Sequence, residues 1–470
     1  MTKKEFKYDM QRGLGSCVVE LKNGKNVERF MPIVLWGCAR DMAYDAQSDG
    51  CRSFYLYELI THFADKTPFI DIVEKRLYLC MRSAGWEFAQ NCEILECFAS
   101  DGDLRSWDIM RTCYKKLRKI LQGKRKQTES GRLTEAENFE HLCNAILGVF
   151  YEEKERVARL YQYFVNDMGM LIKNNAFYSA DSFGWFQAVS EDMLGKRMVS
   201  EILHQTNASE GIKQYLLSLE TRGEMREREM EQRRKNYPRT ADEIYIRIKT
   251  CERNIPIHFL FWTRNLMREE KQEEVERLAQ FYKNEQDLKL RCALLQLLTN
   301  EFGAWSLEIP VLITDSKSTD TELADRALCA LHYRKDLCVR EYAHILLQEG
   351  KHIAHAVSML ATNYEDDDRE LFVNAVKQIP VTYEDRAWHD AFLDILHLLQ
   401  GTTKHKPKEL LLYMYHNTLC SFCREYIVKE MGRRRMLTEE LLEELQYDCN
   451  QDIQEYAKKK MQARRGSNDK

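Results

Sequence analysis

Three residues of the chain carry metal-binding chemistry at close spacing. His416, Cys420 and Cys423 form an H-x3-C-x2-C pattern. On a helix, offsets of four and three put all three side chains on one face. An imidazole and two thiolates so placed suit zinc, which takes four protein ligands in a structural site or three plus water in a catalytic one. No second C-x2-C exists in the chain to complete a four-cysteine site. Cys423 also occupies the position that Val339 holds in a related segment, a core position, so packing is the stronger reading and the triplet stands only as a weak metal candidate. His352 and His355 lie three residues apart, and the run Asp366-Asp367-Asp368 follows within a helix length. Acids ahead of a helix favour its N-terminus through the dipole, which accounts for the aspartates without a metal.

No G-x-S-x-G, H-E-x-x-H or phosphate-loop signature is present. The GLGS at 13–16 lacks a third glycine and a βαβ context, so residues 1–30 read as an N-terminal arm or cap. Phe183-Gly184-Trp185-Phe186 is a compact aromatic cluster of the kind that packs cores. Basic side chains concentrate at Lys115, Lys116, Arg118, Lys124, Arg125 and Lys126, and again at Arg433, Arg434 and Arg435. Phosphate recognition needs such groups to converge on one surface; solvated helix faces carry the same pattern. No catalytic residue and no cofactor is nominated.

The elements that must position these residues are helical. The chain has 470 residues, 44% hydrophobic and 31% charged, with only 20 Gly and 7 Pro. That exceeds the roughly 250–300 residues at which one core stops growing, and the scarcity of breakers favours long helices over sheets. The net charge of −4 gives no global drive towards nucleic acid or anionic membrane. No apolar run approaches the ~20 residues of a membrane span, and the start, MTKKEFKYDMQ, has no secretory h-region. The 15 cysteines, scattered mostly singly, then read as reduced and buried. A cytoplasmic location is expected.

Amphipathic stretches of helical period succeed one another from Arg29: 29–45, 51–65, Phe69–Met81, Trp86–Phe98 and Leu104–Leu121. Thr134 with Glu137 reads as a capping-box start. A region 31–220 of divergent helices precedes a charged connector at 221–240, where Glu224/Arg228 and Glu229/Arg233 form i,i+4 pairs. Thr240 with Glu243 opens a further helix. Behind it, 241–470, a repeat emerges. Asp287-Leu-Lys-Leu-Arg291 matches Asp336-Leu-Cys-Val-Arg340, and Arg424-Glu-Tyr-Ile matches Arg340-Glu-Tyr-Ala. Start positions 287, 336 and 385 are spaced by 49, then by 35 and 30 to 420 and 450.

These segments resemble the second helices of HEAT repeats, over about 280–465. The resemblance implies an all-α fold, an α-solenoid of HEAT-like hairpins in an armadillo-type superhelix, with a more divergent N-terminal region. It implies stacking roles in a ladder of acids and arginines for Asp287, Arg291, Asp336, Arg340 and Arg424. His389 and Gln454 replace the arginine in two copies, so that ladder is incomplete. Stacked repeats build one long surface for holding another macromolecule. The expected function is a non-enzymatic scaffold that binds a protein. Nucleic-acid binding, which in a subgroup of HEAT-like proteins includes DNA-glycosylase action, is the alternative. A metal-dependent enzyme through His416, Cys420 and Cys423 is a second alternative.

Overall fold

The computed structural model describes the chain apart from residues 46–49, 51, 84–85, 123–128, 175–179, 206–209, 236, 251–265, 267–270, 300–303, 383–386, 402–406 and 469–470. Among the described residues there are 25 α-helices and no strand, 78% of the residues being helical. The fold class is all-α. No helix among them is long and apolar enough to cross a membrane. Two compact units divide the chain: Met1–Glu227 with Leu419–Lys470, and Arg228–Thr418. The charged helix Glu210–Lys235 spans the first division.

Several helices of the first unit begin and end close to where the hydrophobic period places them: Thr67–Cys80, Trp86–Ser100 and Leu104–Gln122. Each packs on its sequence neighbour, and the helix Glu129–Gly148 packs on both of the last two. One expectation is corrected below. Residues 1–30 contain two regular helices, Lys3–Arg12 and Ser16–Asn23, whose glycines stand at helix ends rather than inside. Thr2 and Glu5 cap the first helix reciprocally (Glu5 N to Thr2 Oγ1 3.2 Å, Thr2 N to Glu5 Oε2 2.7 Å). Phe6, Met10, Cys17 and Val18 are buried in the unit's core. Thr134 does not start a helix: Glu129–Gly148 runs through it. The intervening segment contains only one breaker, Gly131, whose cost of about 1 kcal/mol is small against the buried face formed by Phe139, Leu142 and Ile146.

In the second unit, helices Leu288–Leu298, Thr321–His332, Ile353–Asn363 and Ala387–Gln400 pack successively, each on the next. Alternating helices, among them Gln272–Asn284, Ile309–Asp315, Leu337–Gln348 and Arg369–Val376, pack beside this row. Aspartates set the starts of three helices. Asp287 accepts from Lys289 N and Leu290 N, Asp320 from Leu323 N, and Asp336 from Cys338 N. Such caps are worth about 1 kcal/mol each. Thr240 Oγ1 accepts from Glu243 N at 3.3 Å to open the helix Ala241–Thr250.

Every cysteine among the described residues is a free thiol, and nine of the thirteen are buried. Burial pushes the Cys38 thiol up to about 12. The nine buried side chains act as small apolar groups rather than nucleophiles.

Candidate functional site

The first unit contains a cleft of about 840 Å³ built from two distant stretches of sequence. One wall is the helix Ser53–Thr61, which contributes Phe54, Tyr57 and Glu58, together with Glu93 from Trp86–Ser100. The other comes from Ser421, Phe422 and Glu425 on the helix Ser421–Arg433, and from the turn Gln446–Asp452. Buried polar groups next in sequence to the lining hold the two stretches in place. Arg424 and Asp448 form a bidentate ion pair (2.8 and 2.9 Å) with both side chains fully buried. Arg424 also donates to Cys449 Sγ at 3.2 Å. Arg52 donates to the carbonyls of Arg12 (3.3 Å) and Leu419 (3.2 Å), bridging the N-terminal and C-terminal segments. Asn450 fastens the turn by accepting from Asp452 N (2.9 Å) and donating to the Ser421 carbonyl (3.2 Å).

The 13–16 loop finds its purpose here. Cys449 N donates to the Gly13 carbonyl at 2.9 Å, and Tyr55 donates to the Leu14 carbonyl at 2.8 Å. Gly13 has φ +71°, the left-handed region that disfavours a side chain. A Cβ on Gly15 would stand 1.9 Å from the Glu444 carbonyl oxygen. The glycines therefore admit the close approach of residues 444–449, and the loop is a seat for that segment.

The exposed lining combines aromatic area with negative charge. Phe54 is 54% exposed and Phe422 47%, large values for such side chains, and Phe422 meets Tyr426 edge-on at 5.3 Å. Among the described residues, Glu58, Glu93, Glu425 and Asp452 line the same cleft against one cation, Lys458. Glu93 is raised above the usual carboxyl range by burial, opposed by a hydrogen bond from Ser53. Tyr57 is raised by burial and by its bond to Asp101. Glu425 also pairs with Lys429 on its own helix.

The residues singled out in the sequence are distributed as follows. Arg291 pairs with Asp315 at 2.8 Å, and Arg340 with Asp368 at 2.9 Å and Asp367 at 2.6 Å. Together with Arg424–Asp448, each of these arginines stands four residues after its helix cap and reaches an aspartate 24, 28 or 24 residues later. Asp287 and Asp336 spend their carboxylates on capping, as given above. Asp368 shows why the acidic run is there. Burial alone would raise it, but hydrogen bonds from Arg340, Glu365 N and His344 outweigh that and hold it below the usual range.

Of the His416, Cys420 and Cys423 triplet, His416 lies in the last turn of Glu409–Asn417, against the Tyr415 ring. Cys420 caps the helix Ser421–Arg433, its Sγ accepting from Cys423 N at 3.4 Å, and Cys423 is buried. His416 belongs to the second unit and the two cysteines to the first.

Among the basic residues, Lys115 is exposed, Lys116 sits 3.9 Å over the Tyr78 ring, and Arg118 pairs with Asp167 at 2.8 Å. Lys124, Arg125 and Lys126 fall outside the described residues. Arg433 and Arg434 both pair with Glu430, and Arg435 is an exposed residue with φ +59°. In the aromatic cluster, Phe183 and Phe186 are buried, while Trp185 is 44% exposed and stacks edge-on against His141 at 4.8 Å.

Arg52, Asp448, Phe54 and Glu58 were not marked by sequence pattern. The one available signal was Gly13-x-Gly15, whose spacing calls for a close backbone neighbour without saying which. No protein-family model matches the chain, and no curated protein matches it.

Proposed function

We propose that the chain is a non-enzymatic scaffold of HEAT-like helical repeats that binds a partner protein, and that the cleft of the first unit receives an extended segment of that partner rich in basic and apolar side chains. The observation that carries this reading is the lining: exposed Phe54 and Phe422 beside four carboxyl groups and one lysine. Exposed aromatics supply contact area at low entropic cost, and complementary charge supplies orientation and rate. Recurrence of the capped helix with its arginine reaching an aspartate one helix later supports the repeat assignment, since each unit can bury its apolar face only against a neighbour. A reducing compartment such as the cytoplasm fits the free thiols.

Nucleic-acid binding stands second. Arg118, Arg433 and Arg434 already have carboxylate partners, and those bonds would compete with phosphate.

Selection of a random peptide library on the purified chain tests the proposal. The expected winners pair Lys or Arg with Leu, Ile or Phe, bind more weakly as salt rises, and lose about tenfold in affinity on Phe422→Ala combined with Glu58→Gln. Enrichment of acidic peptides, or winners indifferent to both substitutions, would sink it.

A further inference from the structure

A second cluster lies in the successive helices of the Arg228–Thr418 unit, and the scaffold reading makes no use of it. The helix Thr321–His332, fixed at its start by the Asp320 cap, presents Asp325, Cys329 and His332 at i, i+4 and i+7, on one face. The neighbouring helix Ile353–Asn363 brings His355 against them. The chain enters that helix through two left-handed residues, Gly350 at φ +65° and His352 at φ +48°. Thr362 ties the two helices further on, donating to the His332 carbonyl at 2.8 Å.

One ligand atom from each of Asp325, Cys329 and His355 lies within 4.8 Å of the other two. His355 Nε2 is 3.0 Å from Asp325 Oδ1, close to the ~3.3 Å edge of a tetrahedron with metal–ligand bonds of about 2.0–2.1 Å. On its other side, His355 Nδ1 is 3.0 Å from His332 Nε2. His332 Nδ1 in turn faces Asp394 Oδ2 at 3.9 Å, from the helix Ala387–Gln400. Asp325 is exposed, whereas Cys329 and His355 are half-buried, so an ion can enter from solvent.

We infer that Asp325, Cys329 and His355 form a zinc-class divalent-cation site, with His332 and Asp394 as its supporting shell and a water in the fourth position. The ligand types select the ion: a thiolate disfavours magnesium and calcium, and the imidazole–thiolate–carboxylate set suits zinc. Charge balances, because one carboxylate and one thiolate neutralise the dication. Binding releases the Cys329 thiol proton to solvent. His355 coordinates through Nε2, so its ring proton resides on Nδ1 and is donated to His332 Nε2. The His332 proton then sits on Nδ1, directed at Asp394. Ligating histidines are usually held by such an outer acceptor; here His332 Nε2 stands at hydrogen-bond distance from His355 Nδ1, 3.0 Å, while Asp394 at 3.9 Å acts on His332 through its charge. Closing the site requires the three ligand atoms, now within 4.8 Å of one another, to draw together around the ion. The ion would tie two successive helices of the second unit.

The test uses the full chain with cobalt(II) and zinc(II). One equivalent of cobalt should bind with a thiolate-to-metal charge-transfer band, which Cys329→Ala removes and zinc displaces. Asp394→Asn should weaken zinc binding by about tenfold. In the unsubstituted protein, zinc should slow alkylation of Cys329, mapped by mass spectrometry, at least tenfold. That measurement needs no variant to fold. A charge-transfer band unchanged in a folded Cys329→Ala protein, absence of stoichiometric binding, or alkylation of Cys329 unaffected by zinc would each overturn the assignment.

Discussion

Replacing Asp448 with alanine leaves the Arg424 guanidinium fully buried without its carboxylate. Both side chains are completely inaccessible, and the pair is bidentate at 2.8 and 2.9 Å. Losing one partner of such a buried, hydrogen-bonded pair costs about 3–5 kcal/mol, because the remaining charge stays desolvated without its counter-charge. The contact from Arg424 to Cys449 Sγ at 3.2 Å is to a weak acceptor and supplies no such counter-charge. For the compact unit Met1–Glu227 with Leu419–Lys470, an unfolding entropy of about 2.1 cal/mol/K per residue converts that cost into a Tm drop of about 5–9 °C. Differential scanning calorimetry of Asp448→Ala checks the size. Hydrogen exchange checks the place: loss of protection should concentrate on residues 444–453 and on the 13–16 loop. The double substitution Arg424→Met with Asp448→Leu should recover most of the loss, since removing both charges also removes their desolvation cost. A single-variant loss under about 1 kcal/mol, or a double variant worse than the single one, would refute the view that this buried pair holds the C-terminal segment in place.

Gly15→Ala places a methyl group against the Glu444 carbonyl oxygen and should destabilise by about 1–3 kcal/mol, read as faster amide exchange at Cys449 N, whose acceptor is Gly13 O. Glu96 is pushed up to about 8 by burial and then by the neighbouring Glu93. A carboxyl raised in the folded state contributes stability in full below its unfolded value near 4.5, and that contribution is lost as pH rises towards 8. Glu96→Gln should therefore stabilise by on the order of 2–4 kcal/mol at pH 8 and leave Tm unchanged at pH 4. A variant whose gain does not depend on pH would contradict that assignment.

How far the sequence could be read depended on the range of the interaction. Helix extents such as Trp86–Ser100 and Leu104–Gln122 follow from a local hydrophobic period, whereas Asp287 and Asp336, read as members of a stacking ladder, place their carboxylates on the starts of their own helices. The Arg–Asp pairs were only half visible. The arginines recur in similar local strings, but their partners Asp315, Asp368 and Asp448 lie 24–28 residues on, in connections that share no pattern. The cleft was hidden for the same reason carried further, because its walls come from residues 50–93 and 421–458. The cluster at Asp325 was missed because Cys329 and His332 read as ordinary helix residues until His355 is brought against them. His355 was noticed, but in company with His352 and the acidic run, whose Asp368 is engaged by Arg340 and His344.

The return of residues 419–470 to the first unit has a consequence for how the protein comes into being on the ribosome. Lys22 meets Tyr447 across 425 residues of chain, and Arg52 meets the Leu419 carbonyl across 367. At roughly 5–20 residues per second, translation of the intervening 228–418 segment occupies roughly 10–40 s. During that interval Gly13, Gly15 and Arg52 stand exposed without the strand of chain they receive. The second unit, whose contacts are nearer in sequence, can fold meanwhile. A nascent chain of this protein should thus carry a finished second unit ahead of an open first one, and chaperone engagement should peak before residue 449 clears the exit tunnel.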